Sequence, residues 1–327
     1  MAKKTFRILF SCIGRRVALV EAFRRSCQRL GLESCLIGAD NSPYSAALQR
    51  CDKRFLVPAS IDKNYLDEIL DLCRRENVNL LIPLIDPELL VLAGQQDKFA
   101  EVGTTLCLSD AKVVKICRDK VRTFRTLTDA GIDTPRLFRY DDITDADLPL
   151  FMKPRAGSAA RNIHRLSNRE SLDFYHRTLP TAIIQELIEG QEYTLDVFTD
   201  FLGRPRCVVP RIRLEVRSGE VSKSMTVKDQ ELMALGRRTV EALPGCRGPL
   251  TIQCFRTRQG RLTVIEINPR LGGGVPLSIE AGADIPAWTI QCALGQEPDI
   301  DPAAFRERLV MLRYDDAVFI NQSELQK

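Results

Sequence analysis

Two apolar segments, Leu250 to Phe255 (LTIQCF) and Leu262 to Arg270 (LTVIEINPR), carry the polar residues best suited to chemistry. Side chains alternate faces along a strand, so Glu266 and Asn268, two apart, share one face. The turn signal Arg258-Gln259-Gly260 joins the segments as a hairpin, which brings Gln253 onto that face. One carboxylate and two amides suit a hard cation, Mg2+ or Mn2+, which takes few protein oxygens and completes its octahedron with phosphate and water. Arg270 adds a permanent positive charge two positions further on. The plainer alternative is a solvated Glu266 and an Asn268-Pro269 turn. The apolar neighbours Val264, Ile265 and Ile267 weigh against it, because a polar face on a buried strand needs partners.

Lys153, in LFMKPRAGSAARN, stands at a strand end before a turn of small residues. Backbone amides of such a turn can cradle phosphate oxygens, with the lysine as a point charge; a simple hairpin turn reads equally well. In IIQELIEGQEYT a strand runs to Ile188, turns at Glu189-Gly190 and resumes with Glu192. Its edge can offer amide and carbonyl groups to adenine, and the carboxylate beyond it can hold ribose hydroxyls; an ordinary hairpin is the alternative.

Elements that position these residues are legible around them. FRILFSC (6–12), SCLIGAD (34–40), RFLVP (54–58), NLLIPL (79–84) and TLCLS (105–109) read as strands, with helical periods at 15–30 and 63–76. Alternating apolar strands and helices mean a parallel sheet covered on both faces, which binds ligands at the carboxyl ends of its strands. Those ends read Cys12-Ile13-Gly14-Arg15, Asp40-Asn41-Ser42 and Ile85-Asp86-Pro87-Glu88. No G-x-G-x-x-G follows the first strand, which argues against an NAD or FAD enzyme. Two helices follow Ser109. Strands PLFMKPR (149–155), RNIHRL (161–166) and TAIIQELI (181–188) come next, with a helix opened by Ser167-x-x-Glu170. The remainder is strand-rich, with helices near 228–242 and 284–294.

The chain has 327 residues, which predicts two or three domains at about 150 residues each. Hydrophobic residues make up 44% and charged residues 28%, as in folded domains and unlike disordered chains. The 47 basic and 43 acidic residues nearly balance, so charge does not point to nucleic acid. Eleven cysteines form no C-x-x-C pair and read as free thiols in a reducing compartment. Two histidines, His164 and His176, cannot readily build a His-based zinc site or a His-dependent triad. Without a targeting segment or a bilayer-spanning run, the expected location is the cytoplasm.

The motif series resembles the ATP-grasp superfamily, in its carbamoyl phosphate synthase large-subunit-like branch. E-x-N-P-R at 266–270 with Gln253, Arg118-Asp119-Lys120 before TLTDAGIDTP, Lys153-Pro-Arg, QELIEGQEYT and Gly272-Gly273-Gly274 occur in that family's order. SCIGRRVALVEAF, GADNSPYSAAL and LIPLIDPEL are similar to the N-terminal domain of stand-alone members such as the pyrrolysine-pathway ligase. The resemblance implies an α/β protein: a Rossmann-like pre-ATP-grasp domain (1–110), a small lid subdomain (111–187) and a large subdomain with the metal site (188–327). It implies that Lys120 and Lys153 contact ATP phosphates and that Gln185, Glu186, Leu187 and Ile188 line adenine through backbone groups, with Glu192 on the ribose. Gln253, Glu266 and Asn268 would hold Mg2+, Glu266 bridging two ions. Arg270 would stabilise charge at the γ-phosphate, and Lys223 would add a phosphate contact. Where relatives read G-S-G-S-R-G, this chain reads Gly157-Ser158-Ala159-Ala160-Arg161-Asn162, so the loop is expected to be stiffer or to make fewer phosphate contacts.

The activity implied is ATP-dependent carboxylate–amine ligation through an acyl phosphate, with small-molecule carboxylate and amine substrates, no nucleic acid or membrane partner, and a homodimer by analogy. Alternatives are phosphorylation of bicarbonate or carbamate, for which 327 residues lack a second synthetase half, and ATP binding without catalysis. Arg211, Arg213 and Arg217 alternate onto one strand face and can hold a further carboxylate or phosphate, or simply a solvated basic face. Asp86 and Glu88 can receive an amine, or Asp86 can cap a helix. Gly273, central in the glycine triplet, belongs either to a mobile loop near the acyl phosphate or to a helix-entry turn.

Overall fold

The computed structural model describes residues 5–157, 162–217 and 219–325. The first part of the chain runs β1 (Phe6–Ser11), α1 (Val17–Arg29), β2 (Ser34–Asp40), β3 (Lys53–Leu56), α2 (Tyr65–Arg75), β4 (Leu80–Pro83), α3 (Asp86–Leu92), α4 (Gln96–Glu101) and β5 (Thr105–Leu106). Its five strands form a parallel sheet in the order β3-β2-β1-β4-β5. Helix α1 buries Val20, Phe23 and Cys27 of the helical period, together with Leu19, and Gly31 beyond it takes a left-handed φ of +65°.

Two helices follow, α5 (Ala111–Arg118) and α6 (Lys120–Asp129). Then come β6 (Leu137–Phe138), β7 (Leu150–Pro154), β8 (His164–Leu166), α7 (Arg169–Thr178) and β9 (Ala182–Glu186). These strands form an antiparallel sheet, β6-β9-β7-β8, over a small core that includes Ile143, Met152, Leu172 and Ile184. The cap of α7 is shifted one residue from the expected Ser167 box. Asn168 accepts from the Ser171 amide at 2.9 Å, and Ser171 Oγ accepts from the Asn168 amide at 3.3 Å.

The last part comprises β10 (Gly190–Thr199), β11 (Pro205–Arg217), β12 (Glu220–Thr226), α8 (Gln230–Glu241), β13 (Gly248–Thr257), β14 (Leu262–Asn268), α9 (Val275–Glu280), α10 (Ile285–Ala293) and β15 (Val310–Leu312). Its antiparallel sheet is ordered β14-β13-β10-β11-β12-β15. Residues 187–189 are therefore not a hairpin turn. They carry the chain from β9 in the small sheet to β10 in the large one.

One continuous core joins the large sheet to the α1 face of the parallel sheet, through Phe10, Phe23, Phe198, Ile285 and Trp288. Val113, Cys117 and Leu127 of α5 and α6 belong to this core and not to that of the small sheet. Their apolar faces pack against β14, although 111–129 was expected to travel with the small unit. Among the described residues no helix is long and apolar enough to cross a membrane.

Candidate active site

A cavity of about 970 Å3 lies between the three sheets. The β13–β14 hairpin supplies one wall. Gln253 stands opposite Glu266, and Thr251 opposite Asn268, so the expected shared face is present. Asn268 Nδ2 donates to Glu266 Oε1 at 3.3 Å, which leaves the amide oxygen free to ligate. The ladder steps over Ile265 next to Gln253, and the Ile265 carbonyl accepts from Lys153 Nζ at 3.1 Å. This set fits a hard cation: one carboxylate and two amide oxygens line the cavity. Among the described residues no cluster of three His, Cys, Asp or Glu side chains offers an alternative.

Lys120 and Lys153 line the same cavity and are both buried. Asp119 caps α6 through the Val121 and Arg122 amides and also takes Arg155 on two oxygens, at 3.0 and 2.6 Å. That contact ties the start of α6 to the end of β7, so the two lysines approach each other. Lys120 Nζ donates to the Gly157 carbonyl at 3.3 Å. Burial lowers the pKa of both amines, and that of Lys153 falls to about 8, with Glu266 working against the shift. The loop expected to cradle phosphate, Ser158 to Arg161, lies outside the described residues.

Gln185, Leu187 and Ile188 line the cavity, and the buried Gln185 Oε1 has no hydrogen-bond partner among the described residues. The Glu186 side chain turns away to Arg261, while its amide donates to the Arg136 carbonyl at 2.8 Å. Glu192 lies 3.2 Å from Arg213 Nε, and burial raises its pKa although Arg213 opposes this.

The remaining expected residues divide. Arg270 reaches Asp86 of the parallel-sheet unit by two bonds, Nε to Oδ1 at 3.1 Å and Nη2 to Oδ2 at 2.8 Å. Asp86 is buried at the start of α3 and is occupied by an arginine, not open to an amine. Glu88 is fully buried and outside the cavity. It accepts from the Leu84 amide (2.7 Å), the Ile85 amide (3.0 Å) and the Tyr65 hydroxyl (2.6 Å), so it caps α3 and cannot receive substrate. Arg211 lines the cavity but spends Nε and Nη2 on Asp196, at 2.7 and 3.1 Å. Arg217 leaves that face, because the β11–β12 register shifts between Arg213 and Val216 and puts Val216 on the cavity. Lys223 is not at the cavity either. Its Nζ donates to Glu215 at 2.6 Å. Gly272 and Gly274 leave no room for a β-carbon, which would lie 2.8 Å from Thr251 Oγ1 and 2.6 Å from Arg211 Nη1, and the triplet leads into α9.

Sequence reading missed Arg16, Thr194, Thr251 and Glu220, all of which line the cavity. Arg16 had a signal, since it follows the carboxyl end of β1. Glu220 had none, because its strand was not anticipated.

Residues 117–274 match the model of the ATP-grasp domain, and residues 8–107 match that of the PylC-like N-terminal domain. The chain belongs to the ATP-grasp superfamily. Within it, the chain pairs that domain with a PylC-like N-terminal unit. It is 23% identical over 175 residues to carbamoyl-phosphate synthase of Methanobrevibacter smithii, covering 51% of this chain and 46% of that protein. The chain thus spans less than half the length of that relative. Its fold is similar to the biotin carboxylase domain of Hydrogenobacter thermophilus 2-oxoglutarate carboxylase, solved as a dimer with MgADP (TM-score 0.72, 18% identity, 94% of this chain and 74% of that one). It is also similar to the L-amino acid ligase of Bacillus licheniformis (TM-score 0.69, 19% identity, 90% and 75%).

Proposed function

We propose that the protein is an ATP-dependent carboxylate–amine ligase. The observation that carries this reading is the convergence of Lys120, Lys153, Glu266, Gln253, Asn268 and Arg270 on one cavity. A carboxylate attacks the γ-phosphorus, ADP leaves and an acyl phosphate forms; an amine then attacks the acyl carbon and phosphate leaves. The protein's part is positioning and charge neutralisation.

Lys120 and Lys153 neutralise phosphate oxygens, and Gln185 Oε1 supplies an acceptor for an adenine amino group. Backbone groups of Leu187 and Ile188 line the base and Glu192 holds the ribose. Gln253, Glu266 and Asn268 hold Mg2+, which supplies electrophilic charge at the phosphates. Arg270, oriented by Asp86, meets negative charge that develops during transfer. We also propose three units with cores in the three sheets, with α5 and α6 assigned to the large one. A cytoplasmic location is supported by eleven free cysteines. A homodimer rests on analogy with the dimeric biotin carboxylase domain.

A second reading, phosphorylation of bicarbonate or carbamate, is favoured by the likeness to carbamoyl-phosphate synthase. The test is ADP and phosphate release from Mg-ATP against amino acids, singly and in pairs, and against bicarbonate. Release that needs a carboxylate and an amine establishes the ligase. Release with bicarbonate alone establishes the second reading, and ATP binding without release under any condition sinks both.

A further inference from the structure

The cavity's cations are not equally engaged. Arg270 is bound to Asp86, Arg211 to Asp196, and Arg213 lies against Glu192. Arg16, just before α1, lines the cavity with no hydrogen bond or ion pair on its guanidinium among the described residues. Burial, and then the neighbouring Arg270, lower its pKa to about 10. Two guanidiniums thus share this end of the cavity, and Arg16 has its carboxylate neighbours, Glu220 and Asp86, beyond ion-pair distance.

Glu220 faces the same gap. Its Oε2 accepts from Arg313 at 3.2 Å and lies 3.7 Å from Arg15, whereas Oε1 has no partner among the described residues. A β-carbon built on Gly273 would stand 3.6 Å from Arg16 Nη1 and 3.5 Å from Glu220 Oε1. Arg16 and Glu220 do not pair with each other, so an open space is bounded by five free N–H donors on one side and a free carboxylate oxygen on the other. The complement of that space is a zwitterion. We infer that Arg16 and Glu220, facing each other across Gly273, form a subsite for the α-carboxylate and α-ammonium of an amino-acid substrate. Arg16 takes the carboxylate through two parallel bonds and Glu220 takes the ammonium. The glycine at 273 keeps the space open. This inference rests on the ligase reading and adds the substrate class to it.

The test combines calorimetry with kinetics on the full chain. The twenty L-amino acids, matched amines lacking the carboxylate and matched acids lacking the amine are titrated in the presence of MgADP. The same compounds are then assayed for ADP release from Mg-ATP. The expected result is that an amino acid binds, and that Arg16→Gln and Glu220→Gln each weaken it about tenfold or more, as loss of a charge-assisted bond requires. Binding of MgADP should not change. Gly273→Ala, at a residue without a left-handed φ, should do the same by filling the gap. Arg16→Gln should also erase the preference for the amino acid over its decarboxylated amine, which a merely structural residue would leave intact. Unchanged amino-acid affinity in both charge variants overturns the subsite and leaves the ligase standing. So does turnover with carboxylates that carry no α-amine only. Failure of wild type to bind MgADP or Mg-ATP overturns the ligase reading and the subsite with it.

Discussion

At the β13–β14 end of the cavity, the side chains of Glu266, Gln253 and Asn268 share one hydrogen bond among themselves, and the two lysines each donate to a backbone carbonyl. At the end facing the parallel sheet, Asp86 and Arg270 are bound to each other twice, with Arg118 3.9 Å away. The first end keeps its polar groups available at a cost in desolvation, and that burial lowers the pKa of both lysines. At the second, Asp86 is already committed to Arg270, and among the described residues Arg16 alone keeps an unbound guanidinium. The first end offers its groups to a ligand directly, whereas at the second Asp86 is spent on orienting Arg270.

That contrast breaks most visibly at Glu266. Glu266→Gln should lower ADP release about 10^3-fold with the fold intact by circular dichroism, since a charged ligand at the phosphates is worth several kcal/mol in the transition state. Asp86→Asn tests the opposite end. It should lower kcat about 10^2-fold by releasing Arg270, with little change in KM for ATP. It should also cost about 3 kcal/mol in urea unfolding, because two partly buried guanidiniums lose a buried carboxylate.

A smaller effect separates the lysines from ordinary surface amines. With the Lys153 pKa near 8, kcat/KM for ATP should fall about tenfold per unit above that pH as the charge is lost. Lys153→Arg should flatten the profile. For folding the sign is reversed. Between about 8 and the ordinary value of 10.5, the unfolded chain binds more protons at this position, so its contribution to stability rises with pH. The smallest effect belongs to Lys223. Lys223→Ala should change kcat and KM less than about twofold, since the pair with Glu215 lies at a partly exposed margin.

Legibility in the sequence followed locality. The hairpin with Gln253, Glu266 and Asn268 could be read because strand period and a turn fix which side chains share a face. The parallel sheet could be read from its apolar runs. Glu88 could not be assigned, because a carboxylate a few residues past a strand end looks the same whether it meets substrate or its own helix amides. Arg217 was misplaced by a register shift that no alternation rule anticipates. The clamp of Arg270 on Asp86 joins residues 184 positions apart, and nothing in either local pattern announces the other.

That clamp also bears on how such chains can be recombined. The orienting partner of an arginine in the catalytic module is supplied by the N-terminal module. A chimera that exchanges the first hundred residues for those of a relative therefore has to retain an acidic residue at the start of its third helix. Without it, the graft yields a well-folded protein whose arginine points nowhere useful.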